Sequence, residues 1–161
     1  MTCVMETAAL RTRHRIDEKA VPATQCDRRL AFADLIARLA AGTAGLDAAQ
    51  MMEGGPFIYG HCVASLTHEP ELAPDCVFLH LDMGPVPANR SVSVTQALLQ
   101  ANHDSCMQRR GFSLSPRTGH IVYFQALALD ALDVDDLLVA LECGVQYAGE
   151  LIAGDQEEGA L

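Results

Sequence analysis

The chain has 161 residues, half of them hydrophobic, and a formal net charge of −10 at pH 7. Length and composition are typical of one globular domain with a single core, here mostly aliphatic because the chain has no Trp. Six of the eleven basic residues lie within residues 1–29, so the rest of the chain carries five arginines against seventeen acidic residues. An acidic body of this kind repels phosphate backbones, which argues against binding to nucleic acid.

No segment of the sequence has the length and apolarity of a membrane span or a secretory signal. A span needs about 20 apolar residues, and Arg11 interrupts the N-terminal region too early for a signal peptide. We therefore expect no membrane insertion and a cytoplasmic location, in which the six cysteines stay reduced.

The first predicted element follows a segment without periodicity. Residues 1–27 are interpreted as a flexible basic leader. Helical spacing of Phe32, Leu35, Ile36 and Leu39 predicts a helix over 28–41, with Asp27 as its N-cap.

Three strands are predicted next, at 57–59, 62–67 and 76–82, separated by Gly- and Pro-rich turns. Short links between sequential strands indicate an antiparallel meander. A second helix is predicted from Ser93, where Ser93-x-x-Gln96 fits a capping box.

The last part of the chain predicts strands at 111–114 and 120–129 and a long third helix capped by Asp133. The strand centre Ile121–Phe124 is apolar on both faces, which in a small protein indicates that a second subunit covers one of them. The prediction is an α+β fold with an antiparallel sheet in the order α-β-β-β-α-β-β-α. It forms one domain over residues 28–153, followed by an acidic tail over 154–161.

Motifs for catalysis or metal binding are weak in this sequence. His103-x-x-Cys106 has a spacing compatible with a metal, but the paired ligands of a zinc site are missing. Cys62 lies at an apolar periodic position, where a free Cys behaves as a small hydrophobic residue. We expect no metal, no cofactor and no catalysis. A small cytosolic thiol or metal enzyme using Cys62, His103 and Cys106 stays open as an alternative.

Several segments, in order and spacing, resemble the class I type III secretion chaperones, the Tir chaperone (CesT-like) family. They are Phe32–Leu39, Leu79–Pro87, the Leu-Leu-x-Ala-Asn pattern ending at Asn102, Gly111–Ser115 and Leu137–Ala148. The resemblance implies a homodimer in the bacterial cytoplasm that binds an N-terminal segment of a secreted effector and keeps it soluble and secretion-competent. A regulator with the same fold, sequestering a secretion or transcription component, is the alternative within this class.

Two sets of apolar residues are the candidate site residues. For effector binding we expect positions on the first helix and the first three strands that the folded dimer leaves uncovered; the alternative is that they all lie in the core. These positions are Leu35, Leu39, Phe57, Tyr59, Val77 and Leu79. For the dimer interface we expect the second helix and the two-sided strand, namely Val94, Leu98, Val122 and Phe124.

Overall fold

A computed structural model describes residues 24–154, which form four α-helices, three short 3-10 helices and five strands. The helices are α1 (Gln25–Gly42), α2 (Ala48–Met52), α3 (Ser91–Ser105) and α4 (Val134–Ala153). The strands are β1 (Phe57–Tyr59), β2 (Cys62–Thr67), β3 (Cys76–Pro85), β4 (Arg110–Leu114) and β5 (His120–Ala128). The α+β class is confirmed, and the predicted element order is correct except that it lacked α2.

The five strands form one antiparallel sheet in the order β1-β2-β3-β5-β4. The long central strands β3 and β5 lie side by side, with Leu79 opposite Gln125 and Leu81 opposite Tyr123. β1 and β4 are the two edge strands. The predicted meander holds for β1 to β3, and β5 then inserts between β3 and β4.

All four helices contribute side chains to a core on one face of this sheet. Alternate strand residues enter the core because successive side chains of a strand point to opposite faces. From the central strands these are Val77, Leu79, Leu81, Ile121 and Tyr123. The result is a two-layer domain with helices over one face of the sheet.

The first helix begins earlier than its predicted start. Thr24 is the N-cap, its hydroxyl accepting from the Asp27 amide, and the Asp27 carboxylate accepts in return from the Thr24 amide at 2.8 Å. This reciprocal capping box makes Asp27 the third helical residue and not the cap. The predicted start of the helix, after residue 27, is therefore three residues too late. The rest of the predicted flexible leader, residues 1–23, lies outside the described range.

Helix α3 also differs from its prediction. It begins at Ser91 and has no side-chain cap; the hydroxyl of Ser93 donates to the carbonyl of Arg90 within the first turn. At its other end, the Asn102 amide donates to the carbonyl of Phe112 at 2.9 Å, and its Oδ1 accepts from the amide of Phe112 at 2.6 Å. Asn102 thus occupies backbone groups of the edge strand β4 and holds α3 against it.

Helix α4 matches its prediction, because Asp133 accepts from the amide of Asp136 as a true N-cap. It packs tightly on the sheet at Gly144, where a Cβ would lie 2.9 Å from the ring of Tyr123. Gly149, one and a half turns later, has nothing within 4 Å of such a Cβ. Gly144 is therefore required by packing, whereas Gly149 is not.

Candidate functional site

The sheet face opposite the helices is the main candidate site, here called the open face. Its central residues are half-buried, in contrast to the fully buried residues that alternate with them. Cross-strand pairs on this face are Phe78 with Ala126, His80 with Phe124, and Asp82 with Val122. Phe78, Val122 and Phe124 make the centre of the face apolar.

Two histidines give the open face its titratable character. His80 lies between Ser65 of β2 and Phe124 of β5, and burial lowers its pKa. At the other end of the face, Nδ1 of His120 lies 2.9 Å from Oδ1 of Asp82. The middle of the face therefore disfavours a positive charge, whereas its end carries a polar pair.

A cavity of about 560 Å³, here called the Arg109 pocket, opens where β3, β5 and the end of α3 meet. Phe78, Phe124 and Ala126 supply apolar lining from the open face, and Arg109 lies beside them. The pocket lies at the Ala126 end of β5, away from the Asp82–His120 pair.

Arg109 has an unusual backbone, with φ of 53°. It is the single described residue other than Gly with positive φ, a conformation that costs about 1–2 kcal/mol for a residue with a Cβ. Its carbonyl accepts from the amide of Ala126 at 2.8 Å, and its Nη1 lies 3.5 Å from Sγ of Cys76. The strained turn thus directs a guanidinium toward the apolar pocket.

Five of the six residues expected to bind an effector are buried in the protein's own core. Leu35, Leu39, Val77 and Leu79 are at most 1% exposed, and Phe57 is 7% exposed. The expectation that these side chains are uncovered is wrong, because α1 packs its whole apolar stripe on the sheet and Val77 and Leu79 lie on the helix-covered face. Tyr59 alone of the six is half-exposed.

The four residues expected at a dimer interface divide into two pairs. Val94 and Leu98 are buried in the protomer's own core, so their assignment to an interface is wrong. Val122 and Phe124 lie half-buried on the open face, where a second subunit can reach them.

Other exposed apolar residues were missed by the sequence predictions although strand alternation could have found them. Ile58 is 67% exposed and lies opposite Val63, which is 39% exposed, at the β1–β2 end of the open face. Val63 lies between two buried residues of its strand, and Ile58 follows the buried Phe57. On α3 the exposed apolar residues are Val92 and Leu99, seven positions apart on one side of the helix. No sequence signal identified Arg109, because its importance depends on its backbone conformation.

The residues of the thiol or metal alternative are not brought together. Cys106 lines the Arg109 pocket, whereas Cys62 lines a separate hollow with Met83, Arg90 and His120. Burial raises the pKa of the Cys62 thiol and the charge of Asp82 raises it further, which is opposite to the activation of a nucleophilic cysteine. Within residues 24–154, no three His, Cys, Asp or Glu side chains are placed to hold a metal ion.

Across the described part of the chain, every helix is too short or too polar to cross a membrane. Comparison of sequences gives no family assignment, because no protein-family profile matches the chain. No curated protein matches it in sequence either.

Comparison of folds does find relatives among solved structures. A chain of the structure described as "Structure of the HopA1-SchA Chaperone-Effector Complex" aligns with a TM-score of 0.60 at 15% identity, over 83% of this chain and 100% of that one. A chain of the Yersinia pestis type III secretion chaperone SycH in complex with a fragment of YscM2 aligns with a TM-score of 0.55 at 18% identity, over 74% and 98%. A chain of the ExsC-ExsE complex gives 0.54 at 15% identity, over 77% and 90%. The chain therefore has the fold seen in type III secretion chaperone structures.

Proposed function

We propose that this protein is a type III secretion chaperone that acts as a homodimer in the bacterial cytoplasm. In this proposal it binds an N-terminal segment of a secreted effector and keeps that segment soluble and secretion-competent, with no catalysis and no cofactor. The observation that carries the proposal is the fold, shared over nearly the whole of the SchA-complex and SycH-complex chains. The names of those structures describe chaperones with bound partners.

The open face supports the dimer. Phe78, Val122 and Phe124 form a half-buried apolar strip that no helix within residues 24–154 covers. Apolar surface that the folded chain leaves partly accessible can mark an interaction site. A twofold contact centred on Val122 would bring together the Val122 ends of two strips, since such interfaces are self-complementary. It would leave Phe78, Ala126 and Arg109 uncovered at the other end of the face.

The β1 end of the sheet supports effector binding. β1 is an edge strand, and edge strands accept an additional extended strand through their free backbone groups. Ile58, Tyr59 and Val63 keep apolar surface exposed beside this edge. A hollow of about 280 Å³ between Phe32, Met52 and Pro70 lies near the same end of the domain. These residues replace the buried residues of the sequence-based assignment as the proposed effector surface.

The test is affinity capture of the tagged chain in its native host, followed by native mass spectrometry of the recovered complex. We expect two copies of this chain with one partner polypeptide, and limited proteolysis that leaves an N-terminal segment of the partner protected. Ile58→Glu should abolish capture with an unchanged melting temperature, whereas Leu79→Glu should unfold the protein. Recovery of a partner through a folded domain, or an Ile58→Glu variant that captures normally, would contradict the proposal.

A further inference from the structure

The Arg109 pocket combines an apolar lining with two arginines, Arg109 and Arg110, in a chain whose body is strongly acidic. The guanidinium of Arg110 lies over the ring of Tyr147, 4.5 Å from its centroid, so Arg109 is the arginine that we consider for binding. Phe78, Phe124 and Ala126 contribute two aromatic rings and a methyl group to the lining of the pocket. Such a lining takes up a large apolar side chain, and a volume of about 560 Å³ is within the usual range for ligand pockets.

Arg109 determines the chemistry of what can sit beside that side chain. Among residues 24–154 its guanidinium forms no ion pair with a carboxylate, and its contact with Cys76 is a weak one to sulfur. A guanidinium binds a carboxylate with strong, charge-assisted hydrogen bonds. A basic side chain at the same position would be repelled.

We propose that the Arg109 pocket binds an Asp or Glu residue together with an adjacent large apolar residue of the partner polypeptide. The inference rests on the proposed function for the existence of such a partner and adds the chemistry of one anchor point. The acidic surface of this protein attracts basic segments of a partner polypeptide. Within that polypeptide, the pocket selects one acidic residue that is followed or preceded by a large apolar residue.

The binding test uses three fluorescein-labelled peptides of twelve residues, acetylated and amidated so that neither terminus contributes charge. Each has a central Leu-Phe pair in a Gly-Ser background, flanked by Asp in the first peptide, Asn in the second and Lys in the third. Fluorescence anisotropy with the full-length protein should give an affinity about tenfold higher for the Asp peptide than for the Asn peptide, and the weakest binding for the Lys peptide.

Three variants test whether a preference for the Asp peptide arises from the Arg109 pocket. Arg109→Gly should lower the affinity for the Asp peptide about tenfold, to that of the Asn peptide, without lowering the melting temperature, because Gly adopts positive φ without strain. Arg117→Gly removes the same charge from an exposed turn and should leave the peptide preference unchanged. Ala126→Leu fills the apolar lining and should weaken all three peptides alike.

Equal binding of the Asp and Asn peptides, or a preference that survives Arg109→Gly, would overturn the inference. The outcome is separable from that of the proposed function. If Arg109→Gly still captures the native partner at full yield and the peptides show no preference, the pocket assignment fails and the chaperone assignment stands. If no partner is captured by the unmodified chain, the chaperone assignment itself fails.

Discussion

Replacing Val122 by Lys should convert the protein from a dimer to a folded monomer. Val122 is half-buried on the open face, so its side chain is close to solvent in the isolated protomer. A lysine there lies opposite Asp82, and such a cross-strand pair is worth roughly 0.2–1 kcal/mol, which offsets part of the lost apolar packing. The protomer should therefore keep a melting temperature close to that of the unmodified chain.

The dimer, in contrast, would lose most of its stability. A micromolar dimer corresponds to about 8 kcal/mol of association free energy. Burying the lysine and its Asp82 partner at the contact carries a desolvation penalty of several kcal/mol per charge, and a twofold interface receives the substitution from both protomers. Even one such penalty raises the dissociation constant by roughly a thousandfold, to the millimolar range.

The assay is sedimentation velocity at protein concentrations of roughly 1–50 μM, which bracket a micromolar dissociation constant. We expect a dimer for the unmodified chain and a monomer for Val122→Lys, both with native circular dichroism. Leu98→Asp is the comparison, since Leu98 is 6% exposed and lies in the core: it should unfold the protein instead of separating protomers. A monomeric unmodified chain, or a Val122→Lys variant that stays dimeric, would refute the assignment of the open face to the dimer.

Three further predictions concern the protomer. Asn102→Asp keeps the acceptor for the amide of Phe112 but places a carboxylate oxygen against its carbonyl, so urea denaturation should show a loss of about 2 kcal/mol. Gly144→Ala should lower the free energy of unfolding by about 1–3 kcal/mol, because α4 has no room for a methyl group there. Gly149→Ala should raise it by up to about 1 kcal/mol, because the position is open and alanine favours a helix. Burial of His80 makes its folded-state pKa lower than the unfolded value of 6.5, so its contribution to stability is present above pH 6.5 and is lost as the pH falls below it.

Each of these predictions has an outcome that would contradict it. An Asn102→Asp variant as stable as the unmodified chain would show that the contact with β4 is not needed. Equal effects of alanine at Gly144 and Gly149 would contradict the packing argument. For the histidine, the urea midpoint is measured at about pH 7.5 and about pH 5.5, roughly one pH unit either side of the unfolded-state pKa of His80. His80→Gln should reduce the loss of stability on acidification; an unchanged loss would mean that other groups cause it.

The sequence predicted the elements whose signals are local. Asp133 and the long apolar stripe that follows it identified α4 correctly, because a capping carboxylate and a helical period act within a few residues. The strand at Cys76 and the one at His120 were found in the same way, from apolar runs between turns. The start of α1 was wrong because Thr24 and Asp27 can both cap a helix, and the choice between them depends on where the chain leaves the core.

The site could be predicted only in part, since it depends on which face of the sheet the helices cover. Alternation placed Val77 and Leu79 on one face and Phe78 on the other, but it did not tell which face is buried. The helices cover the Val77 face, which leaves Phe78, Val122 and Phe124 on the open face. The Arg109 pocket requires three segments to meet and a backbone angle that no sequence period encodes.

The central claim is that this chain binds an extended N-terminal segment of a partner and not a folded domain. Hydrogen–deuterium exchange of the captured partner, free and in complex, tests this most directly, because an extended segment that is unprotected when free gains protection on binding. The account predicts that one continuous stretch near the partner's N-terminus becomes protected while the folded remainder exchanges as before. Protection confined to a folded domain, with the N-terminal segment unchanged, would contradict it.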